Sequence, residues 1–93
     1  MIKSFSDKHT ERLFKLGRSK KYSKELCEQA LRKLFMLDKA VSEEILRKIP
    51  GNHYEKLQGR RKGESSIKIN DQWRLAFRWF NGNAYEVEIV DYH

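Results

Sequence analysis

The sequence predicts an α+β domain: an antiparallel sheet of three or four strands, packed on one face by two or three N-terminal helices. Three observations lead there. Apolar residues recur at three- and four-residue spacing in the first half and at two-residue spacing after Asn52. Asn81-Gly82-Asn83 separates two strand-like runs, the mark of a hairpin. A sheet with one polar face must bury the other, and the helices are the cover available. With 93 residues the chain fits one domain over 1–93, since a chain this short buries only about two-thirds of its unfolded surface and cannot divide its core.

Ile2 to Phe5 is expected as a short strand. Ser6 or Asp7 then caps a helix carrying Glu11, Leu13, Phe14 and Leu16, and Gly17 stops it. From Ser23, a second capping residue, Leu26, Cys27, Ala30, Leu31, Leu34, Leu37 and Val41 form an apolar stripe opposite Lys24, Glu25, Glu28, Arg32, Lys33 and Lys39. Ser42-Glu43-Glu44 opens a shorter helix with Ile45 and Leu46, which Pro50-Gly51-Asn52 ends.

Two-residue alternation follows. Between Glu64 and Asn70, Ile67 and Ile69 take one face and Ser66, Lys68 and Asn70 the other. After a turn at Asn70-Asp71-Gln72, Trp73, Leu75, Phe77 and Trp79 alternate with Arg74, Ala76, Arg78 and Phe80; Tyr85, Val87 and Ile89 then alternate with Glu86 and Glu88. Trp73, Phe77 and Trp79 could stack bases, but on a strand facing helices they are read as core.

Twenty basic and thirteen acidic side chains leave a net charge of +7, which favours a polyanionic partner: nucleic acid, ribosome, anionic membrane or acidic protein. Cys27 stands alone, so no internal disulfide can form and zinc-ligand spacings are absent; a reducing cytoplasm is expected. The longest apolar run, Leu34-Phe35-Met36-Leu37, falls far short of the roughly 20 residues that span a bilayer, and no signal-peptide segment opens the chain. No membrane association is expected. His9 and His53 read as ordinary surface residues.

The basic residues of the second half are not scattered. Lys56, Arg60, Arg61, Lys62, Lys68, Arg74 and Arg78 face only Glu64 and Asp71 in the same stretch, a local excess of five. Arg60-Arg61-Lys62 lies between Gly59 and Gly63, whose backbone freedom would let three cations splay around a phosphate. Lys68, Arg74 and Arg78 belong to the face opposite the apolar one. Glu86 and Glu88 could pair with Arg78 or Lys68, which would make this an ordinary solvated face.

What turns a basic face into a candidate active site is the end of the chain. The hairpin would deliver Asp91-Tyr92-His93 beside Arg74. Cleaving RNA through its own 2′-hydroxyl needs no metal or cofactor; it needs a proton acceptor, a proton donor and cations on the nonbridging oxygens. His93 has the intrinsic pKa for either proton role, Tyr92 can position or donate, Asp91 can orient the imidazole, and Arg74 suits the phosphorane as a fixed bidentate cation.

Leu57-Gln58-Gly59, Gly63, Ser66-Ile67-Lys68-Ile69-Asn70, Gln72-Trp73-Arg74-Leu75-Ala76-Phe77, Asn81-Gly82, Ala84-Tyr85 and Asp91-Tyr92-His93 together resemble the HigB-like toxins of bacterial toxin–antitoxin modules, as does the opening Met1-Ile2-Lys3-Ser4-Phe5. The resemblance runs the full length. It implies a RelE-like sheet backed by helices and a ribosome-dependent endoribonuclease that cuts messenger RNA in the A site. It also implies a helix-turn-helix antitoxin of the HigA type, with operator DNA bound only through the toxin–antitoxin complex. Arg74 corresponds to the phosphate-stabilising arginine, and Asp91, Tyr92 and His93 to the C-terminal active-site group. Several members carry a histidine where this chain has Glu55 and a lysine where it has Gln58, so Lys56, or Arg60 and Arg61, would compensate for the missing charge. Competing readings are a non-catalytic RNA- or ribosome-binding module and a docking protein for an acidic partner, since every cation named serves binding equally well.

Overall fold

The computed structural model describes residues 1–91; Tyr92 and His93, two of the expected site residues, lie outside the described residues. The elements run α1 (Lys8–Leu16), α2 (Lys24–Lys39), α3 (Glu43–Lys48), β1 (Glu55–Lys56), β2 (Ser65–Lys68), β3 (Trp73–Phe80) and β4 (Asn83–Asp91). The strands lie side by side in chain order, each antiparallel to the next.

Each helix starts at a polar cap. The Asp7 carboxylate accepts from the backbone N–H groups of His9 and Thr10, Ser23 accepts from Leu26, and Ser42 from Ile45. Gly17, at φ 80°, closes α1 in the left-handed conformation that side chains resist. α2 ends two residues earlier than its apolar stripe: Ala40 is extended (ψ 136°) so that Ser42 can cap α3, which leaves Val41 beyond the helix and exposed.

The core is where the alternating patterns meet. Leu13, Leu26, Ala30, Leu34, Leu37 and Leu46 from the helices close on Ile67, Leu75, Phe77, Ala84, Val87 and Ile89 from one face of the sheet. Trp73 and Trp79 pack partly buried against this core, Trp73 edge-on to Tyr22. They are core residues, as the sequence predicts.

Three local expectations are corrected. Ile2–Phe5 is not a strand but a segment joined to β4 by two isolated parallel bridges, Ile2 to Ala84 and Phe5 to Val87, covering that strand's outer edge. The interruption has a cause in β4, where a bulge puts Ala76 opposite Glu88 but Arg78 opposite Tyr85, with Glu86 at φ 52° as the extra residue. The bulge also breaks the predicted alternation, placing Tyr85 on the side of Arg78 while Val87 and Ile89 point to the core. Finally, β2 is shorter than Glu64 to Asn70, because the Asn70 side chain accepts from the backbone of Gln72 and Trp73, both at 2.8 Å, and belongs to the turn. At the β3–β4 turn, Asn81 (φ 49°) and Gly82 (φ 79°) both take the positive φ that a two-residue hairpin demands.

Candidate active site

The hairpin register sets Asp91 opposite Trp73 and Val90 opposite Arg74, so the end of β4 runs beside β3 at the level of the arginine. A cleft of about 370 Å³ opens at this end of the sheet, walled by Glu55, Lys56, Leu57 and Gln58 on one side and by Val90 and Asp91 on the other, with Arg61 between them. The Gln72 side chain donates to the Asp91 carboxylate at 3.2 Å and ties the end of β4 to the preceding turn.

Arg74 sits on the face opposite the helices, but it is not an exposed cation. Only 7% of its surface is accessible. Its Nε donates to the Ser66 hydroxyl at 2.8 Å, and one terminal nitrogen donates to the His53 carbonyl and, at 3.4 Å, to the Ser66 carbonyl. A buried charge must be hydrogen-bonded to be tolerated, and β2 with the residues before β1 supplies the acceptors. Alternation gives the face but not the depth, since Lys68 stands directly opposite the arginine while Ser66, diagonal to it beside the small Ala76, receives its side chain.

The other predicted binding residues divide into four groups. Arg61 does not splay outward: a 3-10 turn over Gly59–Arg61 brings it to Glu64 at 3.0 Å and Glu88 at 3.1 Å. Partial burial opposes its charge, but the hydrogen bond to Glu88 and the pull of both carboxylates raise its pKa above the ordinary arginine value. Arg78 pairs with Glu86 at 3.3 Å, as the ion-pair reading of this face has it, whereas Lys68 pairs with Asp71 of the adjoining turn at 3.0 Å rather than with Glu86 or Glu88. Lys56 and Gln58 line the cleft, whereas Arg60 and Lys62 are exposed on the loop outside it. Of the residues weighed to replace a lysine at position 58, Lys56 and Arg61 therefore border the cleft and Arg60 does not.

Sequence reasoning passed over Ser66 and the backbone of His53. A serine at a strand position shared with Lys68 looks like surface, and nothing in a side-chain pattern reports a carbonyl. Among the described residues no group of three or more His, Cys, Asp or Glu is arranged to hold a metal ion.

The comparisons with known proteins agree with this architecture. A family model described as the RelE-like toxin of type II toxin–antitoxin system HigB matches residues 3–93. The chain belongs to the HigB-like toxins. Toxin HigB-1 of Vibrio cholerae serotype O1 is 41% identical over 85 residues, 90% of either chain, and Endoribonuclease HigB of Proteus vulgaris is 34% identical over 94 residues, covering both chains fully. YoeB in a YoeB–YefM complex from Staphylococcus aureus superposes with a TM-score of 0.60 at 17% identity, over 100% of this HigB-like toxin and 98% of YoeB. YafQ from E. coli follows at 0.54 and 14%, over 98% and 93%. These two share the fold. As a toxin of a type II system, this HigB-like chain has an antitoxin as its partner. Among the described residues no helix is long and apolar enough to cross a membrane.

Proposed function

We propose that this toxin is a ribosome-dependent endoribonuclease that cuts translated messenger RNA in the A site, acting in the cytoplasm and arresting translation. The observation that carries the reading is the cleft at the end of the sheet, where β4 brings Asp91 alongside the strand position of a buried arginine. An activity named for the Proteus vulgaris relative supports it.

In this mechanism the 2′-hydroxyl loses its proton to a base as O2′ bonds to the phosphorus, and the bond from phosphorus to O5′ breaks as a general acid protonates the leaving oxygen. A 2′,3′-cyclic phosphate and a 5′-hydroxyl result. His93 takes one of the two proton roles and Tyr92 positions or donates, with Asp91 orienting the imidazole. Arg74 stabilises the phosphorane, and its burial strengthens that effect because a guanidinium already aimed in a low-dielectric site needs no reorganisation. Lys56, Gln58 and Arg61 line the path of the RNA backbone, and Arg60, Lys62, Lys68 and Arg78 contribute the surrounding field. The antitoxin is of the helix-turn-helix, HigA-like kind, and operator DNA is bound only through the complex.

His93→Ala separates this enzyme from a binding module. The variant is expected to cosediment with ribosomes as wild type does and to leave translated messages intact. A wild-type protein that binds ribosomes without cutting their message would assign the cations to binding alone.

A further inference from the structure

We propose that Ser66 and the elbow formed by Asn52 and His53 are positioning residues that set the aim of the Arg74 guanidinium. The proposal rests on the reading of Arg74 as the cation facing the phosphorane.

Ser66 is fully buried and offers Arg74 two acceptors, its hydroxyl at 2.8 Å to Nε and its carbonyl at 3.4 Å to a terminal nitrogen. The His53 carbonyl receives that same terminal nitrogen from the other side. Because the guanidinium is planar and its N–H directions are fixed, acceptors at Nε and at one terminal nitrogen leave its plane little freedom to rotate. The Ser66 hydroxyl, the Ser66 carbonyl and the His53 carbonyl are neutral acceptors that orient the group. Arg61 and Arg78 are held instead by carboxylates.

The elbow is built to hold that carbonyl. His53 has φ 42°, a left-handed conformation that a histidine adopts at a cost, so the surrounding structure must impose it. Asn52 does so from a fully buried position. Its amide donates to the Leu46 carbonyl at 3.0 Å, its side-chain oxygen accepts from Lys33 at 2.7 Å, and its own carbonyl accepts from the Lys68 backbone at 2.6 Å. A path of hydrogen bonds thus runs from α2 and α3 through Asn52 to the carbonyl beside Arg74. Histidine at 53 acts through its backbone, so its imidazole is dispensable.

The test is single-turnover cleavage on programmed ribosomes, with a normal and a phosphorothioate-substituted scissile linkage, for Ser66→Ala, Ser66→Thr and Arg74→Ala. Ser66→Ala is expected to lower the maximal rate about 10–100-fold, the range for losing an orienting partner, to leave the half-saturating ribosome concentration unchanged, and to shrink the phosphorothioate effect. Ser66→Thr, which retains the hydroxyl, should regain most of the rate. Ser66→Cys replaces the alanine variant if that one fails to fold. Wild-type cleavage by Ser66→Ala, or a reduced rate with an unchanged phosphorothioate effect, would overturn the positioning role. Wild-type cleavage by Arg74→Ala would instead remove the reading of Arg74 on which it rests.

Discussion

Replacing Arg74 with lysine keeps the positive charge and removes the fork, which separates geometry from electrostatics at the buried cation. The guanidinium serves the Ser66 hydroxyl through Nε at 2.8 Å and two carbonyls through a terminal nitrogen. A lysine ammonium has one donor centre and can satisfy the His53 carbonyl, but it cannot then reach the Ser66 hydroxyl as well. The bond at 3.4 Å is already weak. The net loss is therefore one charge-assisted hydrogen bond, about 1.5–3 kcal/mol. For a domain of this length each kcal/mol shifts Tm by about 4–8 °C, so Arg74→Lys should melt roughly 6–24 °C lower. Cleavage should fall further than stability accounts for, by about 10²–10³-fold at a temperature where the variant is folded, because the displaced ammonium no longer meets the transition-state oxygens. Thermal unfolding by circular dichroism and single-turnover cleavage on the same preparation check both numbers. A variant with wild-type Tm and wild-type cleavage would refute the reasoning.

Gln58 lines the cleft beside Lys56, so Gln58→Lys adds a cation where the RNA backbone passes and should raise ribosome-dependent cleavage; an unchanged rate would mean that Lys56 and Arg61 already supply the field. Asp7→Ala removes the cap of α1 and should cost about 0.5–2 kcal/mol in urea unfolding. Although burial alone would raise the Asp7 carboxyl, hydrogen bonds from the Thr10 side chain, the His9 and Thr10 backbone and Tyr22 hold it below the ordinary range. Its contribution is then present above the unfolded carboxylate value near pH 4 and is lost as pH falls through the lower folded value, so stability measured across acid pH should decline less steeply in Asp7→Asn. Tyr54→Phe removes the hydroxyl that Glu43 and Ser65 share, and should lower stability by about 1–3 kcal/mol without touching ribosome affinity.

The helices and the strand order were legible because each is written in a repeated signal: capping serines and an aspartate, Gly17, the stripe from Leu26 to Leu37, and Asn81-Gly82 between two alternating runs. The hairpin alone placed Asp91 at the level of Arg74. The bulge at Glu86 was hidden, because alternation through Tyr85, Val87 and Ile89 looks unbroken until the register with β3 is known. The depth of Arg74 was hidden for a similar reason. Period-two patterning assigns a face, whereas burial on that face depends on what lies across it, here Ser66 and a carbonyl from outside the sheet. The cations of the loop after β1 were read as one cluster, yet Glu64 and Glu88, distant from each other in sequence, draw Arg61 away from Arg60 and Lys62.

The most direct measurement places one 2′-deoxynucleotide immediately 5′ of the scissile phosphate in a message programmed into ribosomes, and compares its cutting with that of the all-ribose message. The account predicts that the deoxy substitution abolishes cleavage at that linkage, and that the ribose message yields fragments beginning with a 5′-hydroxyl. Cleavage of the deoxy message at an undiminished rate, or fragments bearing a 5′-phosphate, would contradict attack by the neighbouring 2′ oxygen.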